Sequence, residues 1–205
     1  MHYWRKQYFE TLKVVATKAS EFPEWADYAA FCLEYEGGFR KKAFALLDRF
    51  ISVYEHAPFS DRRRFTSWLL SHAEGREGRH MLLPYPLNVR IIEPTLLEWT
   101  LVEPTCSEPH RWLGGYEHLQ QAIRLDPRDD LARRKLILSI LSRVSDAAHE
   151  LPRGYLGDPA RDFAALAEAE ELVPALQDEQ MRSFWDSQIK FDRLLIEEYL
   201  RKTRF

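Results

Sequence analysis

Seven histidines, two cysteines and 32 aspartates or glutamates are the side chains with which this chain would do acid–base or metal chemistry. Whether they can act together depends on spacing. A metal site on helices needs His, Cys, Asp or Glu three or four residues apart on one face. The nearest approach is His72, Glu74, Glu77 and His80, which straddle Gly75 and Gly78 and fit no closed zinc pattern. Cys32 and Cys106 lie far apart and suit two free thiols in a reducing compartment. There is no His-Glu-x-x-His pair, no glycine-rich phosphate loop ending in Gly-Lys-Ser/Thr, and no nucleophile elbow. No metal or organic cofactor is expected, and no catalytic residue is assigned.

Helical ribonucleases can act through an Arg and a His a few residues apart. Arg49/His56, Arg111/His118 and Arg143/His149 have about that spacing. Seven histidines in an arginine-rich chain produce such pairs by chance, so the spacing carries no weight. The run Arg62-Arg63-Arg64, beside Phe65 and Trp68, has the composition of a phosphate or RNA contact. No long basic face accompanies it and the net charge is -3, so nucleic acid is not the expected partner.

The acidic residues form the more suggestive pattern. Asp158, Asp162, Glu168, Glu170, Glu171, Asp178 and Glu179 crowd one stretch, with Arg161 as the only base among them. On a helix starting at Pro159, a core face of Phe163, Leu166, Ala167 and Leu172 leaves Asp162, Glu168 and Glu171 outward. Asp158, Asp162, Glu168, Glu171, Asp178 and Glu179 are therefore the candidate partner-binding face. Residues 1–100 carry 14 Lys+Arg against 13 Asp+Glu, and residues 101–205 carry 15 against 19, so the acidic excess lies in the second half. Such a surface steers and docks a basic protein.

The elements that must position these residues read as helices. Apolar positions recur at helical intervals over residues 3–18, including Tyr3, Trp4, Tyr8, Leu12 and Val15. Pro23 suits the first turn of the next helix, and Gly37-Gly38 ends it. A third helix runs from Phe39 to about Glu55, and a fourth follows an N-cap at Ser60-Asp61, reaching His72. Five of the eleven prolines fall between Pro84 and Pro109. Within that stretch, residues 87–103 are read as helix, although Val89, Ile91 and Ile92 leave a strand open. Further helices are expected at about 110–125, 128–150, 159–176 and 178–202, jointed at Asp126-Pro127, Leu151-Pro152-Arg153-Gly154, Asp158-Pro159 and Val173-Pro174. The six tryptophans are spread along the chain as packing residues, and any exposed one would be an interface anchor. The N-terminus has no apolar leader, and no apolar run approaches the roughly 20 residues that span a bilayer. A cytoplasmic protein without membrane attachment is the expectation.

The stretch Tyr116-Glu-His-Leu-Gln-Gln-Ala122-Ile-Arg-Leu-Asp126-Pro127 resembles the second helix and exit of a tetratricopeptide repeat, with Leu131, Ala132 and Leu136 opening a following unit. Pro58, Pro127 and Pro174 do not keep the family's period of about 34 residues, and Trp112-Leu113-Gly114 stands near the wrong end of the hairpin. The resemblance therefore implies an irregular α–α array. A second resemblance rests on residues 112–136 together with His149, Leu151, Pro152, Gly154, Tyr155, Leu156, Gly157 and Asp158. This half is similar to small bacterial helical proteins that include immunity partners of polymorphic or contact-dependent toxins.

The expected molecule is thus all-α, built of antiparallel helical hairpins with tetratricopeptide-like character. It is read as a single helical domain over 1–205, with 1–80 and 106–205 as candidate sub-units joined by the Pro-rich segment 81–109. Its expected function is non-catalytic: binding a protein partner, most concretely neutralising a cognate, basic bacterial toxin domain. A peptide-binding scaffold is the alternative, and a helical hydrolase or nuclease with an unrecognised site ranks third.

Overall fold

The computed structural model describes residues 6–151 and 153–203, so the readings on Tyr3, Trp4 and Pro152 lie outside the described residues. The described chain is all-α, with no strand among those residues. It divides into two compact units, Met1–Pro104 and Thr105–Phe205. The boundary falls inside the Pro-rich segment, where proline removes the backbone donors that would continue a helix.

Unit 1 begins with α1 (Lys6–Ala19), followed by a 3₁₀ turn at Pro23–Trp25 and α2 (Ala26–Glu36). Gly37 and Gly38 then reverse the chain, Gly38 with φ of 80° in the left-handed region that glycine occupies without strain. Helix α3 (Arg40–Tyr54) runs back along α2: Arg49 pairs with Asp27 and Lys42 with Glu34, so rising numbers on one helix meet falling numbers on the other. Helix α4 (Phe59–Ala73) starts directly after Pro58. Ser60 is therefore inside its first turn and does not cap it, because proline already fixes the entry. Two single turns, α5 (Arg79–Leu82) and α6 (Tyr85–Leu87), lead through a π-helical stretch, Asn88–Ile92, into α7 (Glu93–Val102). The doubtful apolar segment is thus helical. Pro94 sits in the first turn of α7, where its missing donor costs nothing, and the wider π turn precedes it.

The core of unit 1 is aromatic. Phe65 is fully buried, with the rings of Trp25, Tyr28, Phe50 and Tyr54 at centroid distances of 5.4, 5.1, 4.9 and 5.3 Å. The polar tips of these rings are satisfied: Trp25 Nε1 donates to Tyr54 Oη at 2.9 Å, Tyr54 Oη donates to Asp61 O at 3.0 Å, and Tyr28 Oη donates to Leu82 O at 2.9 Å.

Unit 2 contains α8 (Glu108–Leu113), α9 (Gly115–Leu125), α10 (Asp130–Ala148), α11 (Pro159–Leu172) with a 3₁₀ turn at Val173–Ala175, and α12 (Glu179–Thr203). The single helix expected at 110–125 is broken, because Gly114 adopts φ of 69° and ψ of -162°. The Asp126-Pro127 joint forms as expected. Asp129 caps α10 by accepting from Ala132 N at 2.9 Å, and buried Arg133 donates to Pro127 O at 2.6 Å and Ala175 O at 3.3 Å. Leu136, Ile137, Ile140, Leu141 and Val144 of α10 meet Leu166 and Ala169 of α11 and Trp185, Ile189 and Ile196 of α12 in one core.

The α10–α11 joint is tight. Leu156 N donates to Ala147 O at 2.9 Å, and Asp158 caps α11 by accepting from Ala160 N at 3.0 Å, with Pro159 in the first turn. A Cβ on Gly157 would collide with Asp162 Oδ2 and lie 2.8 Å from Ala147 Cβ, whereas one on Gly154 would meet nothing within 4 Å. Gly157→Ala is expected to lower stability by about 1–3 kcal/mol, as overpacking does. Gly154→Ala should stay within about 0.5 kcal/mol of the parent. Urea unfolding followed by circular dichroism checks both, and equal effects would contradict this packing.

Candidate functional site

The face expected to bind a partner is placed by α11 and the first turn of α12, and the structure divides its six residues into different roles. Asp162 is the main correction. It is buried, not outward: its Oδ2 accepts from Tyr155 Oη at 2.7 Å, and its Oδ1 lies 3.7 Å from Arg143 Nε. The buried stripe of α11 is Asp162, Ala165, Leu166 and Ala169, while Ala167, read as core, is exposed. The helix is rotated from the expected phase because Tyr155, in the preceding loop, supplies a donor that lets a carboxyl face inward.

Asp158 is exposed, but its carboxylate caps α11. Asp178 does the same at the head of α12, accepting from Gln180 N at 2.8 Å and Met181 N at 3.1 Å. Glu168 is half-buried and accepts from Tyr116 Oη at 2.6 Å and Gln120 Nε2 at 2.9 Å, which also raises the Tyr116 hydroxyl pKa. Glu171 and Glu179 are exposed and make no ion pair or side-chain hydrogen bond among the described residues. Glu170, outside the six, pairs with Arg193 at 2.8 Å.

Two depressions flank this helix. A cleft of about 490 Å³ at the α10–α11 joint is lined by Arg143, Asp146, Gly157, Asp158, Arg161 and Asp162, among others. A shallower one of about 400 Å³ lies along α9 and α11 and includes Gln120, Arg124, Glu168 and Glu171. The first gathers residues of the Leu-Gly-Asp joint on which the second resemblance rests. Tyr155, beside it, has its hydroxyl pKa pushed well up by burial first and by the hydrogen bond to Asp162 second. Asp192 of α12 also acts on Tyr155. It is itself buried, with Oδ1 accepting from Gln188 Nε2 at 3.1 Å and Oδ2 without a hydrogen-bond partner.

The other chemical candidates are occupied elsewhere. Arg62 pairs with Glu98 at 2.7 Å, Arg63 with Glu103 and Arg64 with Glu24, and Arg63 and Arg64 also lie over the rings of Trp99 and Trp25. The arginine run thus stitches unit 1 together. The three Arg/His pairs do not combine. Arg49 binds Asp27, Arg111 binds Asp129 at 3.0 Å and Arg143 faces Asp162, while His118 meets His110, with Nδ1 atoms 3.0 Å apart. Burial, then the neighbouring His118, lowers the His110 pKa.

No group of three or more His, Cys, Asp or Glu among the described residues converges as a metal site. Cys32 and Cys106 are both free thiols, and burial pushes the Cys32 thiol up to about 12, which keeps it in the unreactive protonated form. Trp25, Trp99, Trp112 and Trp185 are buried and Trp68 is half-buried, so no described tryptophan is an exposed anchor. No helix among the described residues is long and apolar enough to cross a membrane. Compared with known proteins, the chain matches no family model, no curated protein and no solved structure.

Burial raises the Asp192 pKa, opposed by the hydrogen bond from Gln188. The folded chain therefore holds this proton to higher pH than the unfolded chain does. Its stabilising effect is fully present below the ordinary carboxyl pKa of about 3.9 and is lost as pH rises through the folded value. Asp192→Asn is expected to raise stability at pH 7, and the gain should shrink as the pH is lowered towards about 4. Unfolding midpoints across that range test this, and an Asn variant less stable than the parent at pH 7 would contradict it.

Proposed function

We propose that this chain is a non-catalytic protein-binding module whose working surface is the acidic side of unit 2, and that its partner is a basic protein domain. The observation that carries the reading is the distribution of charge. Unit 1 balances 14 Lys+Arg against 14 Asp+Glu, Glu103 being the one charged residue between 101 and 104, so unit 2 carries 15 against 18 and with it the whole net charge of -3. Within unit 2, Glu171 and Glu179 are exposed and without a side-chain partner among the described residues, and Asp158 and Asp178 are exposed carboxylates that cap helices through only part of their accepting capacity. Charge placed in this way accelerates encounter and selects against like-charged partners.

The resemblance of the second half to bacterial immunity proteins makes the reading concrete: the partner is a toxin domain, bound and blocked in the cytoplasm of the cell that makes it. A tetratricopeptide-like scaffold holding a peptide is the runner-up. The cleft at the α10–α11 joint is the one feature favouring a hydrolase, since it collects Arg143, Asp146, Asp158, Arg161 and Asp162. Two of its three carboxylates, Asp158 and Asp162, are engaged in capping and in the Tyr155 bond, which ranks that reading below binding.

Co-expression with the product of the adjacent gene, followed by co-purification, tests the proposal. A stable complex and restored growth are expected. Glu171→Lys with Glu179→Lys should slow association by about tenfold at low salt, while leaving folding stability within about 0.5 kcal/mol of the parent. A harmless neighbour that forms no complex would remove the immunity reading. Unchanged association after the double reversal would remove the acidic face.

A further inference from the structure

His110 and His118 belong neither to the acidic face nor to the cleft at the α10–α11 joint. On one continuous helix, residues eight apart would be separated by about 12 Å along the axis. The break at Gly114 and Gly115, with φ of 69° and 71°, instead sets α8 against α9. The two histidine Nδ1 atoms come to 3.0 Å, with ring centroids 5.2 Å apart and ring planes inclined by 36°. Neighbours on both helices hold the pair in place. Arg111 donates to Asp129 at 3.0 Å, and Trp112 is buried with Lys135 Nζ 4.1 Å from its ring centroid. Leu119 and Ala122 anchor α9 in the core of unit 2.

We propose that His110 and His118 chelate a divalent transition-metal ion, copper(II) foremost, through their two Nδ1 atoms. With metal–nitrogen bonds of about 2.0–2.1 Å, a separation of 3.0 Å subtends about 95° at the metal. That is close to the right angle between neighbouring ligands of a square-planar or tetragonal site, the geometry of copper(II) and nickel(II). A tetrahedral zinc site would need the two nitrogens about 3.3 Å apart. Copper(II) also stands highest among such ions in affinity for nitrogen ligands. No third His, Cys, Asp or Glu joins the pair among the described residues, so water completes the coordination.

In the metal-free pair, one ring carries its proton on Nδ1 and donates to the other. On binding, that ring passes the proton through solvent to its own Nε2. A modest rotation of the rings then turns both Nδ1 lone pairs to the ion, with no net loss of a proton. Burial first, and His118 second, hold the His110 pKa below its ordinary value, which favours the neutral ring that a metal needs.

Calorimetric titration with copper(II) at pH 7, with electron paramagnetic resonance on the complex, is the test. It is run on the full chain and on His2→Gln/His56→Gln/His149→Gln, which removes competing histidines. In both, one equivalent is expected to bind with a dissociation constant of about 10 μM, and its spectrum should show splitting from two imidazole nitrogens. His110→Gln and His118→Gln should each weaken this site at least about tenfold, because a single ring loses the chelate. Helix content should not change, and either variant reads the site if the other fails to fold. Copper(II) should bind more tightly than zinc(II). No binding, a site kept at full affinity in either single variant, or one lost with His2, His56 and His149 instead would overturn the proposal. So would the reverse order of the two metals.

Discussion

A carboxylate taken out of water must be given donors, and Asp162 is the place where unit 2 meets that demand. The Tyr155 hydroxyl and the Arg143 guanidinium face it from the loop and from α10, so the bond that satisfies the charge also fixes the α10–α11 joint. Gly157 has no side chain because this carboxylate and Ala147 occupy the space one would need. Asp129 follows the same logic one joint earlier: it is buried, caps α10 and accepts from Arg111. Several acids that give unit 2 its negative charge are thus part of its scaffold.

That use reduces the acidic surface available to a partner. What reads in one dimension as a continuous patch becomes two capping aspartates, Asp158 and Asp178, and two glutamates, Glu171 and Glu179, that have no side-chain partner among the described residues. In the proposed reading, this reduced set is a recognition surface. Exposed charges on helix ends act at a distance on an approaching protein. Acid–base chemistry would instead require two carboxyls or a carboxyl and a histidine brought together with a substrate.

Most of the helices were legible because their signals are local. Gly37-Gly38, Pro58, Asp126-Pro127 and Asp158-Pro159 act on the backbone within a residue or two, and all mark real joints. What was not legible depends on side-chain contacts that span a joint or a longer stretch of chain. Asp162 stands four before Leu166 and seven before Ala169, on the buried stripe. A carboxylate there is assigned outward unless Tyr155 is known to reach it. The carboxylates that hold the Arg62–Arg64 run, Glu24, Glu98 and Glu103, lie 36 to 40 residues away, too far for the sequence to pair them.

Hydrogen exchange on the complex with the neighbouring gene's product tests whether unit 2 binds a protein through its acidic side, as proposed. Slowed exchange is expected in the Glu168–Met181 region, in the C-terminal turns of α11 and the first turn of α12, with weaker protection in a complex formed at high salt. A stable complex in which that region exchanges as fast as in the free chain, with protection confined to unit 1, would rule out binding through this face.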